Sequence, residues 1–146
     1  MKIAVVADTH DRIPPTLLGQ LAEADEIWHL GDVCEPGTLA EIEALGKPMQ
    51  VVLGNNEWHT LWPMHLNLER GGHRFHLVHI PPRLAPAGAE FVLHGHTHVA
   101  RDEMNETGVR WLNPGAITRP RSGTRASFAW LNVGDDGSLD WRLVLL

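Results

Sequence analysis

The sequence predicts an α/β domain of two packed mixed β-sheets flanked by helices. Three observations carry that reading. The first half alternates short apolar runs with helical patterns, as parallel strands with helical crossovers do. The second half drops the helical period and shows apolar–polar alternation around glycine-bearing turns. No repeat, low-complexity tract or linker interrupts the 146 residues, so residues 1–146 form a single domain.

Residues 2–7 form a short β-branched run and read as a buried first strand. Asp11 is a candidate cap for a helix over 16–24, with Pro14 and Pro15 at its start and Leu17, Leu18 and Leu21 at helical spacing. Residues 26–30 form the second strand. A second helix begins at Glu35-Pro36, runs to Leu45 and is closed by Gly46. Residues 48–53 form the third strand. Segments 65–68 and 74–79 pair around Gly71-Gly72, and 90–93 is a further strand. Segments 99–106 and 109–112 form a hairpin around Thr107-Gly108, and 126–133 and 139–145 a last one around 134–137.

Composition bounds the function. Net charge is −6, which argues against a protein built to hold nucleic-acid backbone. The single cysteine, Cys34, permits no internal disulfide and fits a reducing compartment. The apolar run ending at Asp8 is too short for a signal peptide or membrane span, and a cytoplasmic location with no membrane partner is expected. Histidine is the unusual component: ten residues, six of them between His73 and His98.

Five polar clusters each follow a predicted strand: Asp8-Thr9-His10, Gly31-Asp32, Gly54-Asn55-Asn56-Glu57, His79, and Gly95-His96-Thr97-His98. Ligand sites in open α/β sheets form at strand ends, so these side chains converge on one crevice. Asp8 and His10, like His96 and His98, are two residues apart and face one way on an extended chain. Carboxylate, amide oxygen and neutral imidazole together suit a divalent metal. Singly, each cluster also fits a turn or an exposed histidine. Jointly, Asp8, His10, Asp32, Asn55, His79, His96 and His98 make seven candidate ligands.

The ordered series D-x-H, G-D, G-N-x-[DE], lone His and G-H-x-H, with Asn113-Pro114-Gly115 behind it, resembles the calcineurin-like metallophosphoesterases. The likeness is to their small bacterial and archaeal phosphodiesterases and runs along the whole chain. It implies a metallophosphoesterase-like β-sandwich and a two-metal phosphodiesterase that could also take phosphomonoesters. One ion is then held by Asp8, His10, Asp32 and His98, the other by Asp32, Asn55, His79 and His96, with Asp32 bridging. Mixed N/O ligands suit Mn first, with Fe, Ni, Co or Zn as alternatives. The reaction implied is in-line attack on phosphorus by a metal-bound hydroxide, on a small phosphate ester. Many relatives have a leaving-group His where this chain has Asn56, which donates a hydrogen bond but transfers no proton. His59 is a candidate substitute or an ordinary histidine.

Arg12, Arg119 and Arg121 are candidate phosphate contacts, although each also fits a solvated arginine. His29 reads as a buried neighbour of the site and Cys34 as a packing residue; Trp58 and Trp62 read as core aromatics, with a place lining the cleft as the alternative. No stable nucleic-acid partner is expected, and exposed edge strands leave a homodimer or higher homo-oligomer open. The alternative reading is a catalytically weak metal-binding scaffold or interaction module of the same fold.

Overall fold

The computed structural model describes all 146 residues. In chain order they form β1 (Lys2–Val6), α1 (Pro15–Leu21), β2 (Glu26–His29), a 3₁₀ turn (Pro36–Leu39) running into α2 (Ala40–Glu43), and β3 (Met49–Val51). Then come β4 (His65–Arg70), β5 (His73–Val78), β6 (Phe91–Leu93), β7 (Arg101–Met104), β8 (Arg110–Asn113), β9 (Ser127–Val133) and β10 (Leu139–Leu145). Two five-stranded sheets result, in the orders β10-β9-β1-β2-β3 and β4-β5-β6-β8-β7.

Both sheets are mixed. β1, β2 and β3 run parallel, with β9 antiparallel to β1 and β10 to β9. In the second sheet β5, β6 and β8 run parallel, and β4 and β7 are antiparallel edges. The packing of β1 explains why it is apolar after Lys2. Ile3, Val5 and Ala7 face the second sheet with Trp28, Phe75, Leu77, Leu93 and Leu112, while Ala4 and Val6 meet Leu17, Leu21, Leu39 and Ile42 of the helical layer. A strand buried on both faces has no polar face to show. Both helices cover the first sheet only.

The sheets are also joined by charge. Arg70 of β4 grips the buried Glu26 of β2 through two hydrogen bonds of 2.9 and 2.8 Å. Burial pushes the Glu26 carboxyl up, but the guanidinium outweighs it and holds the group below its ordinary value.

Three local expectations are corrected. The second helix is not continuous over 35–45, because the Thr38 hydroxyl donates to Glu35 O at 2.7 Å and tightens the first turn to 3₁₀. Asp11 does not cap α1, whose start has no side-chain cap; its Oδ1 accepts the Glu35 N–H at 2.8 Å instead. Trp58 is not core: it is 78% exposed, whereas Trp62 packs against the helical layer.

Candidate metal centre

Strand direction assembles the site. The two parallel sets end on the same side of the molecule, where the polar clusters follow them. Asp8 and His10 follow β1, Asp32 follows β2, Asn55 follows β3, His79 follows β5, and His96 and His98 follow β6. Arg119 and Arg121 follow β8. Main-chain bonds stitch these loops together, from Asp8 N to Gly31 O, Gly95 N to His79 O, and Thr118 N to Asp8 O.

The backbone here is held in a costly conformation. Nine non-glycine residues have positive φ, and all lie in loops after β1, β2, β6 and β8; Asp8, His10, Asp32, His96 and His98 are five of them. Each such residue costs about 1–2 kcal/mol, and strain of this kind gathers where a site needs its side chains aimed. The glycines of the three glycine-led clusters are fixed by close approach. A Cβ on Gly54 would overlap the Asp32 main-chain N and Oδ1, and one on Gly31 would come within 2.8 Å of the His79 ring. One on Gly95 would lie 3.0 Å from Asp8 Oδ2.

All seven candidate ligands come together. Asp8, His10, Asp32 and His98 offer atoms all within 4.8 Å of one another. His79 Nε2 lies 3.3 Å from Asp32 Oδ2 and 2.9 Å from Asn55 Oδ1, and His96 Nδ1 lies 3.1 Å from the same Asn55 oxygen. The first group is largely buried, while Asn55 and His96 are more open.

The donor set fits a cation on its own chemistry. His79 Nδ1–H donates to Leu30 O and His98 Nδ1–H to Arg119 O, both at 2.8 Å. These carbonyls fix the tautomers and turn both Nε2 lone pairs inward. There His98 Nε2 meets His10 Nε2 at 3.3 Å and Asp8 Oδ1 at 3.3 Å. The buried Asp8 Oδ1 takes no hydrogen bond, whereas its partner oxygen Oδ2 accepts the His96 N–H. Lone pairs that converge out of water repel unless a proton or a metal cation stands among them.

The charges agree. Burial pushes the Asp8 carboxyl up to about 6, against the pull of His79 and His98. Burial also pushes Asp32 up, but His79 and the two Asn56 hydrogen bonds outweigh it and hold that carboxyl below its ordinary value. For His79, burial is outweighed by Asp32 and Asp8, which raise its affinity for a proton.

Several supporting residues were invisible as such in the sequence. Glu57 Oε1 accepts from Val33 N at 3.0 Å and Gly54 N at 3.2 Å, tying the Asp32 loop to the Asn55 loop. Asn113 Nδ2 donates to Gly95 O and Thr97 Oγ1, both at 3.1 Å, and so pins the His96–His98 loop. Their signals were the acid of G-N-x-[DE] and the Asn-Pro-Gly after a strand. Asn56 donates its Nδ2–H to Asp32 Oδ2 at 2.7 Å and its backbone N–H to Oδ1 at 3.0 Å. Cys34 Sγ lies 3.7 Å from His10 Nδ1, and burial, with Asp11 and other acids, pushes its thiol up to about 11. It is a neutral neighbour of a candidate ligand. His59 serves its own loop, with Nδ1 accepting from Leu61 N and its ring packed edge-on against Trp62.

His29 is fully buried beneath the site, with Nδ1 accepting from Gly31 N and Nε2–H donating to Thr9 Oγ1 at 3.0 Å. Burial lowers its pKa from 6.5 to about 3. Between those values the unfolded chain binds a proton there that the folded protein refuses. Stability therefore falls as pH drops through this window, by up to about 1.4 kcal/mol per pH unit from this group. Urea unfolding of metal-free protein at pH 6.5 to 4 is expected to show a shallower decline for His29→Gln than for the wild type. Parallel declines would contradict the assignment.

Residues 1–136 match the family model described as the calcineurin-like phosphoesterase superfamily domain. The chain belongs to the calcineurin-like phosphoesterase superfamily. A probable metallophosphoesterase of Methanothermobacter thermautotrophicus is 33% identical over 139 residues, covering 83% of this chain and 80% of that protein. The solved structure of a novel archaeal phosphodiesterase superposes with a TM-score of 0.84 at 20% identity, covering all of both chains. Vps29 of Entamoeba histolytica, solved in complex with Zn²⁺, superposes with a TM-score of 0.77 at 21% identity over 99% of each chain. The two-sheet architecture is thus the metallophosphoesterase fold, and the buried Asp/His cluster is its metal-binding feature in this chain. No helix is long and apolar enough to cross a membrane.

Proposed function

We propose that the protein is a phosphodiesterase working with two divalent ions, manganese first among Mn, Fe, Ni, Co and Zn. The observation that carries this reading is the set of inward-turned acceptors: Asp8 Oδ1 without a partner, and His79 and His98 with their Nε2 lone pairs aimed at carboxylates. Asp8, His10, Asp32 and His98 would hold one ion, and Asp32, Asn55, His79 and His96 the other. Divalent ions bound there would supply an activated water as nucleophile and would polarise the phosphoryl oxygens of the ester.

The chain's own contribution is positioning and charge. Asp8 and Asp32 supply two negative charges against four, and neutral His and Asn add none. The loaded site is therefore net positive in a protein of net charge −6 and attracts a phosphate ester. Leu30 O and Arg119 O hold the imidazoles in the ligating tautomer. Asn56 holds Asp32 and offers no transferable proton, which favours esters with good leaving groups.

Metal-stripped protein is expected to hydrolyse bis-p-nitrophenyl phosphate only after Mn²⁺ is added, with saturation near two ions per chain. His98→Ala, assayed beside it, should stay inactive. Folded protein that turns over no diester with Mn²⁺, Fe²⁺, Ni²⁺, Co²⁺ or Zn²⁺ would overturn the catalytic reading in favour of an interaction module.

A further inference from the structure

The arginines of this chain fall into two groups. Five of the ten are tied down: Arg70 to Glu26, Arg74 to Glu90 and Gly88 O, Arg101 to Glu103, Arg110 to Asp102, and Arg125 to Leu146 O. Of the five whose guanidinium groups meet no partner, Arg12, Arg119 and Arg121 lie in the loops after β1 and β8, beside the metal centre. In a chain with 18 acidic residues and 12 basic ones, leaving three cations unpaired around one site needs a reason.

Two of them share a cavity. A cleft of about 750 Å³ opens beside the centre, with His10 on one wall, Arg12 and Arg119 on its sides, and Ile13 and Ile117 among its apolar lining. His10 makes the cleft continuous with the ligand cluster. Both arginines are exposed, yet their main chains are fixed: Arg12 N donates to Thr9 O at 3.0 Å, and Arg119 O accepts from His98 Nδ1 at 2.8 Å. Arg119 also holds a positive φ of 55°. The guanidinium groups thus project from anchored backbone into a space next to a candidate ligand. The Thr118 hydroxyl on the same wall is spent on Asp8 O and Thr9 O, which leaves the arginines as the charged donors there.

The opposite end of the centre differs in kind. Beside Asn55 and His79 lies a hollow of about 160 Å³ walled by Leu53, Met64, Val78 and Ile80. A substrate lying across the two ions therefore meets cations at the His10 end and apolar side chains at the Asn55 end. The scissile phosphate has no need of the arginine pair, since the ions would neutralise it. A second anion would.

We infer that the Arg12–Arg119 cleft is a subsite for a second phosphate group, and that the substrate is a small phosphodiester carrying one further phosphate beside the scissile one. The inference rests on the phosphoesterase reading of the centre. Guanidinium is suited to phosphate because its paired N–H groups match two phosphate oxygens. The net charge of −6 and the shortness of the cationic strip argue for a small molecule over a tracked nucleic-acid strand.

Two substrates that differ by this one group make the test: thymidine 5′-(p-nitrophenyl phosphate) and its 3′-phosphorylated counterpart, assayed with Mn²⁺-loaded enzyme. The 3′-phosphate is expected to raise kcat/KM by about 10- to 100-fold, the range of one or two charge-assisted hydrogen bonds. In the double variant Arg12→Ala/Arg119→Ala that ratio should fall to about one. Arg142→Ala, which removes a charge on β10 outside the cleft, should keep the wild-type ratio. A wild-type ratio near one, or a ratio untouched by the double variant, overturns the subsite. If neither compound is hydrolysed, the catalytic reading fails and calorimetry decides the subsite by itself. Thymidine 3′,5′-bisphosphate should then still bind the protein more tightly than thymidine 5′-phosphate, with the advantage lost in the double variant. Equal affinities would overturn it.

Discussion

Asp32→Asn is expected to leave a folded protein that has lost metal-dependent diester hydrolysis, with kcat/KM down by about 10³-fold or more, the few kcal/mol a metal site supplies. The substitution keeps the shape of the side chain. Its oxygen can still accept from Asn56 N, as Asp32 Oδ1 does at 3.0 Å, and the Asn56 amide can turn to accept where it now donates at 2.7 Å. The electrostatics change completely. An amide nitrogen replaces the oxygen that lies 3.3 Å from His79 Nε2 and 3.5 Å from His10 Nε2. That N–H would consume the His79 lone pair that Leu30 O keeps turned inward. One of the two buried carboxylates of the centre is lost as well, which halves the negative charge available to balance a bound cation. Three measurements separate the causes. Circular dichroism should be unchanged, calorimetric titration with Mn²⁺ should show fewer than two ions, and the rise in melting temperature on adding Mn²⁺ should shrink. A site filled with free metal at 100 times Kd would contribute about 2.7 kcal/mol to the stability behind that rise. A variant that keeps more than a tenth of the activity would mean that the reaction does not depend on Asp32 as a metal ligand.

Much of this centre was legible in the sequence because its parts obey simple rules. A ligand placed directly after a buried apolar run must emerge at the end of a strand. The β-α-β-α-β pattern makes β1, β2 and β3 parallel, so Asp8, Asp32 and Asn55 had to emerge on one side. Glycine before each of Asp32, Asn55 and His96 marked close backbone approach, which the contacts of Gly31, Gly54 and Gly95 explain. The second sheet was harder. β5, β6 and β8 run parallel without helical crossovers, joined by loops and by the β7 edge, and nothing in their periodicity sets the order β5-β6-β8. Pairing of that kind is decided by tertiary packing, here Phe75 stacking on Phe91 and Leu77 beside Leu93 and Leu112. Left-handed backbone at Asp8, His10 and Asp32 gives no compositional sign, since none of them is glycine. The Asp11 cap failed for a related reason. Its backbone is turned to positive φ, and its carboxylate serves the neighbouring loop at Glu35 instead of the helix that follows.

Gly54→Ala is expected to cost about 2–3 kcal/mol of stability, the upper part of the range for an overpacked site, and to weaken metal binding by about 100-fold or more. Gly54 does not have a positive φ, so alanine suffers no torsional penalty there. On the unfolded side alanine is favoured, by about 0.4–1 kcal/mol. Any loss must therefore be steric, and the obstruction is severe. The new Cβ would occupy the space of the Asp32 main-chain N and Oδ1, and it would lie 2.9 Å from Asp32 Cα. A main-chain atom cannot swing aside as a flexible side chain could. Either the β2 loop retreats, carrying Asp32 away from His79 and His10, or the β3 loop does, carrying Asn55 with it and breaking the Gly54 and Val33 hydrogen bonds to Glu57. Both movements open the centre. Gly19→Ala is the matching control: Gly19 is exposed within α1, nothing lies within 4 Å of its Cβ position, and alanine there should stabilise by about 0.5–1 kcal/mol. Urea midpoints for the two variants should move in opposite directions, and Mn²⁺ calorimetry should change for Gly54→Ala alone. If Gly54→Ala binds Mn²⁺ as tightly as the wild type, the Asp32 and Asn55 loops move independently and the site is not held by their contact.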